Sequence, residues 1–272
     1  MEELSETDIL SVHFSKGGIV LKFDFNGKNV LVTGAAQGIG RSIALTLASC
    51  GANIAIIDMN AEGAGETKAE IENSGGKSMV FKADVSKLEM VQEVIAEVEK
   101  SWGSVDILVN NAGIVSPKPF LETTQDEWDK IMAVNLKGVY NTCFAALPGM
   151  IDRKYGKIVN IASIAGKKGG GFFGNTIYGT SKAGVIALTK GIAREAGPFG
   201  INANAICPGP IETHMLSGCS KENRERILQG VPLGKFGQPQ DIANMVLFLA
   251  SDFASHVTGE ITDVDGGIMR DN

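Results

Sequence analysis

A tyrosine and a lysine four positions apart, Tyr178 and Lys182, are the residues of this 272-residue chain whose types and spacing most directly suggest proton-transfer chemistry. A spacing of four places both side chains on one face of a helix. An unperturbed tyrosine has a pKa of about 10, and a neighbouring ammonium group favours the phenolate and lowers that pKa. The pair could therefore act as a general acid/base near neutral pH. Because Tyr-x-x-x-Lys is common by chance, the interpretation depends on the residues that accompany it.

Other polar residues lie where predicted strands end, which is where a doubly wound parallel sheet binds its ligands. Each of them also has a structural explanation, as a turn asparagine, a polar residue within a helix, a loop serine or a turn Pro-Gly. In chain order they are Asn110–Gly113 at the end of the fourth strand, Asn135 in the next helix, Ser163 after the fifth strand, and Pro208 and Gly209 after the sixth.

A glycine-rich turn, Thr33–Gly40, joins the first predicted strand to a helical pattern that starts at Arg41. Glycines let the backbone turn tightly and approach a pyrophosphate group, which then lies at the positive end of the helix. A turn without a ligand is the alternative. The position after the first strand of a βαβ unit favours dinucleotide binding.

Asp58 ends the second predicted strand, close to the ~20 residues downstream at which a ribose-binding carboxylate is expected. A carboxylate there accepts hydrogen bonds from the ribose hydroxyls and repels a 2′-phosphate. The turn also carries Gln37 and offers no arginine to pair with a phosphate. These residues predict NAD as the cofactor in preference to NADP. The alternative role of Asp58 is to cap the helix that follows.

The elements that must position these residues alternate between short apolar runs and longer helical patterns. This alternation predicts an α/β fold, a Rossmann-like, doubly wound, mainly seven-stranded parallel sheet with helices on both faces. Capping boxes at Ser86–Glu89 and Thr124–Glu127, and Pro239, predict helix starts. The predicted strands are Asn29–Thr33, Asn53–Asp58, Ser78–Lys82, Asp106–Asn110, Lys157–Ile161, Asn202–Cys207 and Ile261–Val264.

No repeat or linker divides the sequence, so residues 26–272 are predicted to form a single Rossmann-fold catalytic domain. Residues 1–25 are interpreted as an N-terminal extension, with a possible strand at Gly18–Phe25, that lies on the domain or on a neighbouring subunit. The segment of residues 210–236 is predicted to close over the substrate as a lid.

The composition argues against several classes of protein. The formal charge is −6 and the basic residues are scattered, which disfavours a nucleic-acid surface. The four cysteines are far apart in the sequence and form no Cys-x-x-Cys pair, so neither a metal site nor a disulfide framework is expected. The acidic amino terminus has no apolar run, and no stretch approaches the ~20 apolar residues of a membrane span. We expect a cytoplasmic protein with no membrane partner.

The chain resembles the short-chain dehydrogenase/reductase family from about Gly27 to Gly267. This resemblance implies an NAD-dependent enzyme that interconverts a secondary alcohol and a ketone on a small-molecule substrate. The motifs that carry it stand in the family's order: Thr33–Gly40, Asp84, Asn110–Gly113, Asn135, Ser163, Tyr178, Lys182 and Pro208–Thr213.

The resemblance implies catalytic roles for Asn135, Ser163, Tyr178 and Lys182. Tyr178 is the expected general acid/base on the substrate oxygen, and Ser163 steadies that oxygen as charge develops. Lys182 lowers the pKa of Tyr178 and binds the nicotinamide ribose, while Asn135 holds a water that links Lys182 to solvent. No metal is implied. The expected cofactor-binding residues are Gly34, Gln37, Gly38, Ile39, Gly40, Asp58, Met59, Asp84, Val85, Asn111, Ala112, Gly113, Tyr178, Lys182, Pro208, Gly209, Ile211 and Thr213.

The sequence leaves the substrate open. Ser163 and Tyr178 are fifteen positions apart, slightly wider than is common in the family, and Gly169–Phe173 fills the gap. The expected NAD preference and the N-terminal extension favour a small polar substrate such as a sugar alcohol or sugar derivative. The resemblance also implies a homotetramer, with Ile261–Val264 and Asp241–Ala250 as apolar faces.

A 3-oxoacyl-carrier-protein reductase is the main alternative. The resemblance associates such enzymes with NADPH and with an acidic carrier docked on basic residues, for which Lys154, Lys167 and Lys168 are candidates. Phe199 stands where a basic residue is often found, and Asp58 disfavours NADPH. A non-catalytic, cofactor-binding regulatory protein is a third possibility, but such proteins typically lose the tyrosine or the lysine.

Overall fold

The computed structural model of the protein describes residues 10–15, 18–171, 175–216 and 218–270. Phe172 and Phe173, from the segment between the predicted catalytic serine and tyrosine, lie outside the described residues. No helix in the described part of the chain is long and apolar enough to cross a membrane.

A seven-stranded parallel sheet forms the centre of the fold, as predicted. Its strands begin and end within one residue of the predicted ranges. They are β3 (Asn29–Thr33), β4 (Asn53–Asp58), β5 (Lys77–Lys82), β6 (Ile107–Asn110), β7 (Gly156–Ile161), β8 (Ile201–Pro208) and β9 (Ile261–Val264). Their spatial order is β5-β4-β3-β6-β7-β8-β9, so the direction of winding reverses between β3 and β6. In doubly wound sheets, the crevice at such a reversal binds ligands.

Helices cover both faces of the sheet. On one face α1, α2 and α9 pack over residues such as Ile54, Ile56 and Val109, and on the other α3, α5 and α7 pack over residues such as Leu31 and Leu108. The helices are α1 (Gly38–Ser49), α2 (Ala61–Asn73), α3 (Leu88–Trp102), α4 (Gln125–Met132), α5 (Gly138–Arg153), α6 (Ile164–Lys168), α7 (Thr176–Ala196), α8 (Lys221–Gln229) and α9 (Pro239–Ala250).

Two of the predicted helix starts are confirmed. In the capping box of α4, the Thr124 hydroxyl accepts a hydrogen bond from the Glu127 N–H and the Glu127 carboxylate accepts one from the Thr124 N–H. Pro239 is the first residue of α9, where its missing N–H costs nothing.

Two other predictions about helix starts are wrong. The Ser86–Glu89 capping box does not form: the N-cap residue of α3 is Lys87, without a side-chain cap, and the Ser86 N–H donates to the Asp84 carboxylate at 2.9 Å. Helix α1 begins at Gly38 and not at Arg41, because the glycine-rich turn itself enters the helical conformation after Gln37.

The N-terminal extension contains an antiparallel hairpin of β1 (Leu10–Ser15) and β2 (Gly18–Phe23), which is a separate two-stranded sheet. The predicted strand Gly18–Phe25 thus ends at Phe23. The Phe23 ring meets the Phe253 ring edge-on, with centroids 5.2 Å apart, and this contact joins the hairpin to the main domain.

Candidate active site

The predicted site residues all lie at or beyond the carboxyl ends of the parallel strands. Asn111 connects the two sides of the crevice between β3 and β6. Its side-chain amide donates to the carbonyl oxygens of Thr33 (3.0 Å) and Gly34 (2.8 Å), and the Thr33 hydroxyl accepts the N–H groups of Asn111 and Ala112, both at 3.0 Å. These bonds fix the glycine-rich turn against the segment Asn111–Gly113.

Two glycines of the turn are required by its geometry. Gly34 has φ +68°, and a Cβ there would lie 2.8 Å from the Ala112 Cα. A Cβ on Gly40 would lie 2.1 Å from the Gly34 carbonyl oxygen. Only glycines allow α1 to start this close to the strand ends, with Gly38, Ile39 and Gly40 in its first turn. The side chain of Gln37, its N-cap residue, makes no cap hydrogen bond, so no N-cap side chain satisfies the first N–H groups of α1.

Asp58 lies at the end of β4, beside the same turn. One carboxylate oxygen accepts the Ala36 N–H and the other accepts the Asn60 N–H, both at 2.9 Å. The alternative role of Asp58 as a helix cap is wrong, because the α2 cap is Asn60, whose side chain accepts the Gly63 N–H. The carboxylate is thus held at the edge of the crevice, with Met59 exposed beside it.

The segment after β5 places Asp84 and Val85 at the next position along the carboxyl edge. The Asp84 carboxylate accepts a hydrogen bond from the Ser86 N–H. Val85 is buried, and its carbonyl oxygen accepts the Asn141 side-chain amide at 2.8 Å. The segment after β5 is thus bonded to α5 through Asn141.

Tyr178 and Lys182 lie in the first two turns of α7, and Ser163 follows β7. The Lys182 ammonium donates to the Ile161 carbonyl oxygen at 2.7 Å and lies 5.9 Å from the centre of the Tyr178 ring. Ser163 shares a side-chain hydrogen bond with Tyr178, and its hydroxyl accepts the Ala165 N–H at 3.0 Å. Asn175 caps α7 through the Tyr178 N–H. The structure therefore brings the predicted serine, tyrosine and lysine together.

Burial controls the pKa values of both titratable groups. Desolvation raises the pKa of the Tyr178 phenol, and the hydrogen bond from Ser163 opposes this shift. Desolvation also lowers the pKa of Lys182 to about 8, and the nearby Cys207 thiol opposes it. The expected lowering of the pKa of Tyr178 does not hold in this structure, because desolvation of the phenol is the largest influence on that pKa.

Asn135 lies in a π-helical segment, Ala133–Lys137, between α4 and α5. Its side-chain carbonyl accepts the Ile114 N–H (2.8 Å), and its amide donates to the Ile114 carbonyl (2.9 Å) and to the Ser181 hydroxyl (3.1 Å). The side chain is therefore used to hold the loop after Gly113 against α7. The sequence analysis did not assign Ser181 to the site, although its position next to Lys182 indicates that it lies there.

Beyond β8, Pro208 and Gly209 lead into the predicted lid. A Cβ on Gly209 would lie 2.6 Å from the Asp265 Cα, so the chain passes close to the carboxyl end of β9. Ile211 is buried and Thr213 is half-buried. Within the lid the Arg224 guanidinium pairs with both oxygens of Glu212, at 3.1 and 2.6 Å, and lies over the Phe236 ring.

The basic residues considered for carrier docking do not form one patch at the crevice. Lys154 precedes β7 and thus lies at the amino edge of the sheet, opposite the site. Lys167 is paired with Asp263. Only Lys168 is exposed next to the site. The described residues contain no group of three or more metal-ligating side chains.

Comparisons with known proteins agree with this geometry. A family model described as enoyl-(acyl carrier protein) reductase matches residues 34–269. A 3-oxoacyl-[acyl-carrier-protein] reductase of Thermotoga maritima is 40% identical over 89% of this chain and 98% of its own length. Proteins of the same name are 43% identical in Staphylococcus epidermidis, over 89% and 98%, and 39% identical in Aquifex aeolicus, over 92% and 100%.

Solved structures are similar over nearly the whole chain. A putative short-chain alcohol dehydrogenase from Sinorhizobium meliloti superposes with a TM-score of 0.86 and 37% identity, over 90% of this chain and 97% of that one. A putative gluconate dehydrogenase from Agrobacterium tumefaciens has the same TM-score and coverage, with 34% identity.

Proposed function

Because the chain belongs to the short-chain dehydrogenase/reductase family, we propose that it reduces 3-oxoacyl thioesters of an acyl carrier protein to 3-hydroxyacyl thioesters, with NADH as the hydride donor. The observation that carries this proposal is similarity: three relatives that bear the name 3-oxoacyl-[acyl-carrier-protein] reductase are 39–43% identical across about nine tenths of this chain. This favours the thioester over the sugar alcohol that the sequence alone suggested.

The protonation state of Tyr178 supports the reductive direction. Because burial raises the pKa of the phenol, it is protonated at neutral pH and can donate its proton to a carbonyl oxygen. Ser163 offers a second hydrogen bond to that oxygen as negative charge develops. The Lys182 ammonium, held by the Ile161 carbonyl, stabilises the phenolate that remains.

The residues present fit a dinucleotide. The first turn of α1 offers N–H groups to a pyrophosphate, and Asp58 offers the remaining lone pairs of its carboxylate to a ribose diol. NAD(H) supplies the hydride and, when oxidised, a positive ring. Lys182 would hold the nicotinamide ribose, and Ile211 and Thr213 would fix which face of the ring is presented. Asn135 would position the water through which Lys182 regains a proton.

Oxidation of a sugar alcohol is the second candidate. Two observations favour it: the position of Asp58, which suits NAD, and the similarity to a putative gluconate dehydrogenase. The three basic residues considered for carrier docking also form no single patch at the crevice. The lid of residues 210–236 would close over either substrate.

A substrate comparison distinguishes the two candidates. The purified enzyme is assayed for oxidation of NADH and NADPH by acetoacetyl thioesters of coenzyme A and of acyl carrier protein, and for reduction of NAD by a panel of polyols and sugar acids. We expect the highest kcat/KM with the carrier-protein thioester and NADH. A polyol or sugar acid with the highest kcat/KM would overturn the proposal in favour of the second candidate.

We further propose a homotetramer, working in the cytoplasm, where its free cysteines stay reduced. A third apolar face, besides those expected on α9 and β9, lies on α5, where the exposed rings of Tyr140 and Phe144 stack with centroids 5.6 Å apart. Contiguous exposed apolar residues mark interfaces in soluble proteins. Light scattering at micromolar concentration should give four times the chain mass of 28.6 kDa. A monomer would refute this assembly.

A further inference from the structure

A buried serine on α7 links the backbone of the catalytic tyrosine to Asn135. The Ser181 hydroxyl donates a hydrogen bond to the Tyr178 carbonyl oxygen at 2.7 Å, three residues earlier in the helix, and accepts one from the Asn135 side-chain amide at 3.1 Å. Ser181 and Asn135 are both fully buried. The hydrogen bond between them therefore joins two polar side chains that solvent does not reach.

The direction of each hydrogen bond follows from the groups involved. A carbonyl oxygen can only accept, so the Ser181 hydroxyl gives its one proton to Tyr178, and its oxygen is left to accept. The Asn135 amide has two N–H groups, which go to the Ser181 hydroxyl and to the Ile114 carbonyl oxygen (2.9 Å). The Asn135 carbonyl oxygen accepts the Ile114 N–H at 2.8 Å. Both donors of Asn135 are thus used, while its oxygen keeps a second lone pair.

The side-chain oxygen of Asn135 lies close to the catalytic lysine. A Cβ on Gly113 would lie 3.4 Å from this oxygen and 3.5 Å from the Lys182 ammonium nitrogen, so both atoms flank the same glycine. Ser181 directly precedes Lys182 in α7. Its hydrogen bond to Asn135 therefore ties the asparagine to the helix that carries the lysine.

The π-helical segment Ala133–Lys137, which contains Asn135, makes an apolar and a polar contact with α7. A Cβ on Gly184 would lie 2.7 Å from a methyl carbon of Leu136, so the segment packs closely against the helix at that point. The polar contact is the hydrogen bond between Asn135 and Ser181. Turns of π-helix are rare and occur frequently at functional sites. The apolar contact fixes the spacing of the two elements, and the polar one fixes the asparagine side chain between them.

We infer that Ser181 is a positioning residue, whose buried hydroxyl holds the Asn135 amide so that the asparagine oxygen stays beside Lys182. This inference rests on the function proposed above, in which Asn135 serves the return of a proton to Lys182. The proton of the Ser181 hydroxyl is given to a backbone carbonyl, so the serine acts through Asn135 and not on the substrate.

Ser181→Ala removes the acceptor and leaves one buried N–H of Asn135 unsatisfied, while alanine favours the helix. We expect kcat for thioester reduction to fall about tenfold, with the KM for NADH nearly unchanged. Thr180→Ala is the matched control, because the Thr180 hydroxyl also donates to a backbone carbonyl of α7, that of Thr176 (2.9 Å), but the residue is exposed. This control should keep the parental kcat.

A double-mutant cycle with Asn135→Ala separates positioning from a general loss of structure. If Ser181 acts through Asn135, Ser181→Ala should change kcat by less than about twofold once Asn135 is replaced, because the group that it positions is gone. A merely structural serine would lower kcat by the same factor with and without Asn135. Equal factors in the two backgrounds, or a loss of kcat in Thr180→Ala as large as that in Ser181→Ala, would overturn the inference.

Amide hydrogen exchange measures the positioning without substrate. The Ile114 N–H is bonded to the Asn135 oxygen. Its exchange, followed by NMR of isoleucine labelled with nitrogen-15 and assigned through Ile114→Val, should be faster by about tenfold or more in Ser181→Ala and unchanged in Thr180→Ala. Exchange at the parental rate in Ser181→Ala would overturn the inference.

Two further arms keep the test decisive. If Ser181→Ala does not fold, Ser181→Cys takes its place in both measurements, because a thiol keeps the side chain similar in size but accepts hydrogen bonds only weakly. A parental enzyme that reduces no thioester would refute the proposed function, and the exchange of the Ile114 N–H would still decide whether Ser181 positions Asn135.

Discussion

Asp58→Asn is the substitution that tests cofactor choice by removing the negative charge while keeping the size of the side chain. Asparagine retains one acceptor oxygen and turns its NH2 group towards one of the two backbone N–H donors, so one backbone hydrogen bond is lost with the charge. In the parent, each carboxylate oxygen already accepts one backbone N–H, from Ala36 and from Asn60. A carboxylate has about four lone-pair sites, so about two remain for the ribose diol.

The expected effect follows from the number of bonds lost. A hydrogen bond to a charged group contributes about 1.5–3 kcal/mol, and about 1.4 kcal/mol is a factor of ten in affinity. Loss of one such bond should weaken NADH use by about ten- to hundredfold, chiefly through KM. Loss of the charge should at the same time improve NADPH use, because the 2′-phosphate is no longer repelled.

The assay is the ratio of kcat/KM with NADH to kcat/KM with NADPH, measured at one pH and one ionic strength. The ratio should fall by about a hundredfold or more in Asp58→Asn. Glu66→Gln removes an exposed charge from helix α2 of the same βαβ unit and should leave the ratio unchanged. Adding Gln37→Arg to Asp58→Asn should move the ratio further towards NADPH, because arginine pairs with phosphate. A parent that already prefers NADPH, or a variant with the parental ratio, would refute this reasoning.

Three further predictions concern the site and its lid. Gly166→Ala places a methyl group 2.7 Å from the Lys182 carbonyl carbon and should lower kcat at least about tenfold. The control, Gly191→Ala, places its methyl group in open space and should leave kcat unchanged, and steady-state assays of the two variants measure the difference. Lys182→Met should raise the free energy of unfolding of the cofactor-free protein at pH 7, on the order of 3 kcal/mol, because the folded protein carries a desolvated ammonium there. This gain in unfolding free energy should shrink between pH 8 and 10.5, because there the lysine is already neutral in the folded protein and still protonated in the unfolded one. Urea unfolding at several pH values measures the gain, and a gain that stays constant with pH would contradict the prediction. Arg224→Gln removes the paired contact to Glu212 and should raise the KM for substrate a few-fold with a smaller change in kcat, while Arg226→Gln, an exposed neighbour on α8, should change neither.

The sheet could be predicted from the sequence because its strands are short apolar runs between clear helical patterns. The predicted ranges from Asn29–Thr33 to Ile261–Val264 match the structure within one residue at every end. Helix starts were less predictable, because they depend on neighbours. The Asp84 carboxylate takes the Ser86 N–H, which prevents the expected capping box and starts α3 at Leu88.

The sequence predicted which of these residues come together in the fold, and it predicted their pKa values less well. Motif order identified Ser163, Tyr178 and Lys182, and the fold brings them together. The pKa of Tyr178 depends on burial by the whole domain, which no local pattern reveals. The pairing of Lys167 with Asp263 joins residues 96 positions apart, so spacing gave no sign of it.

The central claim is that Tyr178 is the acid in a hydride transfer to a 3-oxoacyl thioester. Its most direct test is the transfer of deuterium to the carbonyl carbon of acetoacetyl carrier protein from NADH that carries deuterium at both C4 positions. The parent should yield a 3-hydroxyacyl product with deuterium at C3. Tyr178→Phe keeps the ring and should bind NADH nearly as well, but its rate should fall by about a hundredfold or more, because only the proton-donating oxygen is lost. No deuterium in the product of the parent, or a Tyr178→Phe rate above about a tenth of the parental one, would contradict the account.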